Sequence, residues 1–304
     1  MMKNIKKSLR FRNNPRKKNE SGFTGYFQKT TFLSIFVVAF FGFILYQAYL
    51  NFFGYGDGDP TRHDVRIRAQ AEDGDAHAQY LMGRFLSSGR QGIESDPAAA
   101  FRWFQTASAQ GYAPALYRLG KCYQHGRGVE KNPSEVARLF QLAAQQGDLP
   151  ARNALGELHF HGEGFEKSFE AALAEYRPAA EAGLAAAQRN MGFMAAEGHG
   201  MARNHVVAMD WYRKAAEQGD AIAISNIGLM YEHAQGVEAD PLRAWDCYYR
   251  ASLWGYRGAK RHRDRVETSL PAEWQSKGLY ERDGKDCLGG GFKKITRPVS
   301  RVRN

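Results

Sequence analysis

The chain has 304 residues, enough to bury a large core, and combines 32 glycines with only 10 prolines and 43% hydrophobic residues. This composition favours close-packed helices over a β-sandwich or barrel. The formal charge of +10 divides into +8 over residues 1–29, +7 over residues 257–304 and −5 for everything between. A DNA-binding domain instead carries its positive charge on the folded face that meets phosphate, so no nucleic-acid partner is expected.

Residues 1–29 form a basic cytoplasmic segment in which nine Lys/Arg oppose one Glu. From Thr30 to Gly56 there is no charged residue, and "FLSIFVVAFFGFILYQAYL" (Phe32 to Leu50) is apolar on every helical face. About 20 such residues span a bilayer. The basic flank predicts residues 30–53 as a transmembrane signal anchor with the N-terminus in the cytoplasm. Tyr46, Tyr49 and Tyr55 suit the interfacial aromatic belt at its far end. A cleaved signal peptide has a shorter apolar region, about 7–15 residues, ending at a small-x-small site; no A-x-A follows this longer run. The expected localisation is therefore the inner (cytoplasmic) membrane, single-pass, with the rest of the chain extracytoplasmic, or periplasmic in a Gram-negative cell. Residues 54–74 read as a linker and an N-terminal capping helix.

Two glycine ladders organise the body. Gly74, Gly111, Gly147, Gly183, Gly219 and Gly255 recur every 36 or 37 residues, and Gly83, Gly120, Gly156, Gly192 and Gly228 share that period. A common period in this range marks a helical solenoid. The second unit shows the plan: helix A over Ala113–His125, stopping at Gly126, then helix B from after Asn132 to Gly147. Asn132 can cap helix B, Pro133 fits its first position, and Glu135 sits where a capping-box acid belongs. Asp96-Pro97 and Asp240-Pro241 repeat the device. The closing glycines supply the left-handed position that ends a helix. Small residues recur where helices approach closely (Ala78, Ala115, Ala151, Ala187 and Ala223), and large ones fill the spaces between, including Phe104, Phe140, Tyr176, Tyr212 and Tyr248 on helix B. A unit of this kind cannot bury its apolar face alone, so each copy is the partner of the next.

The pattern A-x-x-x-L-G-x-x-Y-x-x-G-x-G-V, followed by A-x-x-W-Y-x-x-A-A-x-x-G, resembles the Sel-one-like repeat (SLR), a relative of the tetratricopeptide repeat. Its best copies are "ALYRLGKCYQHGRGVEKNPSEVARLFQLAAQQG" (Ala115 to Gly147) and "AISNIGLMYEHAQGVEADPLRAWDCYYRASLWG" (Ala223 to Gly255). Ala234 departs from a loop glycine, Leu139, Glu175 and Cys247 from the tryptophan, and His159 and Ala195 from the tyrosine. The expected fold is all-α, an α-solenoid of about five helix-turn-helix units over residues 75–256, preceded by one transmembrane helix. The resemblance implies protein–protein contact, as in adaptors of membrane-associated assemblies, envelope biogenesis, signalling or host contact, and not catalysis.

Helix geometry selects a face for that contact. If positions five before, one before and two after the helix A glycine face the core, those three before, one after and four after share the opposite side. In related solenoids this side is concave. It carries Tyr80 and Arg84; Tyr117, Lys121 and Gln124; Asn153, Glu157 and Phe160; Arg189 and Phe193. Tyr, Arg and Phe are favoured at interfaces.

No catalytic, metal or cofactor site is expected. His125, His161 and His233 occupy one repeat phase, which spreads them along the solenoid, whereas zinc gathers its ligands on one ion; a histidine there complements the C-terminal end of helix A. Of three cysteines, Cys122 and Cys247 are more than three units apart, too far for a bond, while Cys247 with Cys287 stays open. "CLGGGFKKITRPVSRVRN" lacks the Lys-Ser/Thr of a phosphate-binding loop, so residues 257–304 read as a C-terminal capping helix and a basic flexible tail. The expected function is a membrane-anchored scaffold or adaptor holding one or more envelope proteins. The alternative is a binder of non-protein envelope polymer or anionic lipid through that tail.

Overall fold

A computed structural model of the chain describes residues 60–89, 94–270 and 287–288. The apolar stretch at 30–53, the basic segment before it and nearly all of the basic tail lie outside these residues. Among the described residues there are twelve α-helices and no strand, and no helix is long and apolar enough to cross a membrane.

Helix α1 (Pro60–Glu72) precedes five helix pairs. The pairs are α2 (Ala76–Ser88) with α3 (Pro97–Ala109), α4 (Ala113–His125) with α5 (Pro133–Gln145), α6 (Leu149–His161) with α7 (Phe169–Glu181), α8 (Ala185–Glu197) with α9 (His205–Glu217), and α10 (Ala221–Glu232) with α11 (Pro241–Leu253). Helix α12 (Arg257–Ser269) follows. From α2 onward each helix packs on the next in the chain, α1 joins α2 through Ile67, Ala71, Ala78 and Met82, and the core runs through the body as successive buried clusters.

The helix ends follow local chemistry. Asp96, Asn132, Ser168, Asn204 and Asp240 each cap a helix B, their side-chain oxygens accepting from backbone N–H groups two or three residues on. Asp75, Asp148 and Asp220 do the same for helix A, so the acid after a closing glycine opens the next helix. The expected capping box is only half formed. Asn132 accepts from the Glu135 N–H at 3.2 Å, but the Glu135 carboxylate turns to Arg138, 2.7 Å away. The guanidinium offers a charged partner one turn along the helix, which a backbone N–H cannot match.

The second glycine ladder has a steric cause. A Cβ added to Gly120 would lie 2.5 Å from Cε1 of Phe140, and one added to Gly156 or Gly192 would meet Tyr176 or Tyr212 as closely as 2.5–2.6 Å. Each helix B ring lies flush against the bare backbone of helix A, and all five rings are buried. Ala234 alone departs from the loop glycines: its φ of 53° puts a Cβ-bearing residue in the left-handed region, where no other non-glycine among the described residues sits.

The last pair is closed by α12. The Tyr248 hydroxyl donates to Glu232 at 2.6 Å, and Arg265 reaches the same carboxylate at 2.8 and 2.9 Å. Trp245 Nε1–H donates to Glu267 at 3.3 Å, and the His262 ring stacks on Tyr248. Burial alone would raise the Glu232 pKa, but Tyr248 and Arg265, helped by His233, hold it below the ordinary glutamate value.

Two outcomes follow from these contacts. Gly120→Ala should cost about 1–3 kcal/mol in denaturant unfolding by overpacking Phe140, and adding Phe140→Leu should recover part of that loss, so the double substitution costs less than the two singles combined. Glu232, with its folded pKa depressed, contributes stability that is complete above the unfolded glutamate value of about 4.3 and fades as pH falls through its lower folded pKa. Thermal melts of the native chain and Glu232→Gln should therefore differ at pH 7 and converge towards pH 3.

Candidate interaction face

The ten candidate residues all lie on helix A of the first four units, and the structure sorts them by row. Positions three before the glycine turn towards neighbouring helices. Tyr80 meets the rings of Phe104 and Tyr112, Tyr117 packs 5.5 Å from Phe140, and Asn153 is buried. Asn153 donates to Glu157 at 3.0 Å and accepts from Asn190 of the next unit at 2.9 Å. Arg189 pairs with Asp220 at 2.6 Å, the same carboxylate that caps α10. These side chains are spent largely on holding repeats together.

The row one after the glycine is more open. Arg84 is exposed and lies over the Tyr80 ring, while Lys121 donates to Gln124 at 2.7 Å. Burial lowers the Lys121 pKa, with Glu157 opposing and Arg118 and Arg127 reinforcing the shift. Along the chain this row reads Arg84, Lys121, Glu157, Phe193 and Leu229, from basic through acidic to apolar.

At the apolar end, side chains from two units meet. Phe160 of α6 and Phe193 of α8 have ring centroids 5.9 Å apart. Phe169, at the first position of α7, lies 5.2 Å from Phe160 and stacks on His199 at 4.2 Å; His199 also contacts Phe160 and Phe193. The Lys167 ammonium stands 4.9 Å over the Phe169 ring. Phe193 is 39% exposed and is the one exposed Phe, Tyr or Trp among the described side chains. A cluster of rings with one face open is suited to take an apolar group of a partner.

The sequence reading found Phe160 and Phe193 but not Phe169, His199 or Lys167. The signal lay in departures from the repeat: Phe169 stands where three of the five units place Pro, and His199 separates two loop glycines where the second unit has Arg127. Among the described residues no three His, Cys, Asp or Glu side chains are placed to hold a metal ion. His125, beside Lys121, Arg127 and Lys131, has its pKa lowered, first by burial and then by those charges.

Five stacked helix pairs with a continuous helix A seam define an α-solenoid repeat protein. The family model of the Sel1 repeat matches residues 76–112, 113–148, 149–184, 185–220 and 221–253, and the chain belongs to that family. A protective antigen present in uropathogenic Escherichia coli strains, which displays an SLR fold, is 31% identical over 68% of this chain, with a TM-score of 0.59. The match spans 44% of that antigen's length. A Sel1 repeat protein from Oxalobacter formigenes is 27% identical, covering 69% of this chain and 89% of its own, with a TM-score of 0.60. No curated protein matches the sequence.

The pairing of Arg189 with Asp220 sets a test of its scaffold role. Arg189→Ala should cost about 2 kcal/mol in denaturant unfolding. Asp220→Asn, which keeps the cap acceptor, should show a coupling energy with it above about 0.5 kcal/mol in a double-mutant cycle.

Proposed function

We propose that the chain is a membrane-anchored scaffold of the cell envelope, anchored through residues 30–53 with its repeat body outside the cytoplasm, and that it works by binding a protein partner on the helix A face. Sel1-repeat proteins generally mediate protein–protein interaction. The anchor and its orientation are supported by the uncharged run from Thr30 to Gly56 and the nine basic residues before it.

The observation that carries the binding reading is the ring cluster of Phe160, Phe169, Phe193 and His199, left open at Phe193. Covering the exposed part of Phe193 with an apolar group would remove further aromatic surface from water. The basic side chains at Arg84 and Lys121 lie further along the same row. A partner that seats an apolar side chain at Phe193 and presents an acidic group towards Lys121 would match both ends.

The test is photo-crosslinking in cells from positions 121 and 193, with position 206, on the exposed start of α9, as control and membrane fractionation alongside. One envelope protein captured from 121 and 193, but not from 206, and weakened by Arg84→Ala, is the expected outcome. An anchored chain that captures no protein from either site would overturn the reading and favour the basic tail as the ligand-binding element. A chain absent from the membrane fraction would overturn the anchor.

A further inference from the structure

Cys247 and Cys287 are forty residues apart in sequence and meet in the fold. Cys247 lies in the middle of α11, at the position where the first and fourth units carry Trp103 and Trp211. Cys247 and Cys287 lie in one buried cluster with the side chains of the last repeat. Both cysteines are fully buried, and both are free thiols. The Cys247 thiol donates to the Cys287 carbonyl at 3.7 Å, and the Cys287 N–H donates to Asp246 Oδ2 at 3.1 Å. Arg250 fixes that carboxylate from the next turn at 2.8 Å. The backbone of Cys287 is thereby held at two points against one turn of α11. Cys122 belongs to a different buried cluster, among residues of the first three units.

We propose that Cys247 and Cys287 are a disulfide-forming pair, which under an oxidising disulfide becomes a covalent strap fastening the C-terminal segment to the last repeat. The reaction is a thiol–disulfide exchange. One cysteine thiolate attacks a small disulfide such as oxidised glutathione, forming a mixed disulfide and releasing one glutathione thiolate. The second cysteine then displaces the other glutathione, so two protein thiols lose two electrons and two protons while one external disulfide is reduced to two thiols. The docked state resists the first step: burial, reinforced by Cys287, pushes the Cys247 thiol well above its ordinary pKa, and the thiolate is the attacking species. The bond therefore forms while the segment is undocked, during folding or transient opening, and is sheltered once the segment seats. This inference is independent of the partner face; only the identity of the natural oxidant depends on the compartment.

The full chain, in detergent where the anchor requires it, is refolded in a glutathione buffer rich in the disulfide form, then denatured, alkylated and digested with trypsin. The expected result is a linked pair of peptides 244–250 and 286–293, with Cys122 alone open to alkylation. Cys122→Ser should leave the linked pair intact, and Cys287→Ser should abolish it while Cys247 becomes alkylatable. Reduction should also lower the thermal midpoint of the native chain by roughly 5 °C or more, since the bond closes a long loop, and leave that of Cys287→Ser unmoved. Three alkylatable cysteines after oxidative refolding, or a bridge that includes Cys122, would overturn the proposal.

Discussion

The body of this protein depends on the seating of one helix B ring against one helix A glycine, repeated five times. The contact requires both partners. Without the glycine the ring would strike a Cβ at 2.5–2.9 Å, and without the ring the bare helix backbone would face a void. Because the ring and the glycine belong to the same unit, the contact sets the distance between the two helices of a pair. It thereby fixes how far the outer side of helix A stands from the core.

That spacing explains why the helix A face is not uniform. Residues three before the glycine fall near enough to neighbouring helices to be captured: Asn153 by Asn190, Arg189 by Asp220, Tyr117 by Phe140. Buried glutamines add a further link, since Gln79 and Gln188 donate to Ala71 and Ala180, carbonyls near the ends of the preceding helices, and accept from Gln110 and Gln218. The row one residue past the glycine stays more open: Arg84 and Phe193 are exposed, while Lys121 and Glu157 are half-buried and bonded within their own helices. The same packing that builds the repeat thus decides which of its varied side chains are free to meet another molecule.

The fold was legible in the sequence because its determinants are local and periodic. Glycine ladders, Asn or Asp before Pro, and alanines at fixed offsets each act within one unit, and their spacing alone places helix α4 at Ala113–His125 as observed. The interaction face was legible only in outline. Offsets of three and four give the side of a helix, but not whether a neighbouring unit has already claimed that side chain, as with Asn153 and Arg189. Phe169 and His199 join the ring cluster from a helix start and a loop, contacts that no helical periodicity encodes. Glu135 shows the limit even for local motifs, since Arg138 competes for its carboxylate.

Ala234 gives the last unit a character the others lack. The equivalent position is glycine in the first four units, each with positive φ, whereas here a methyl group is held at φ 53°. A left-handed L-residue carries roughly 1–2 kcal/mol of strain, and local opening follows the local balance of stability. The fifth unit is thus discounted relative to its neighbours, and amide exchange along the solenoid should be graded, quickest near this loop. A solenoid that loosens from one end releases its segments in order, so a Cys247–Cys287 bond, once formed, would fasten the unit that opens first.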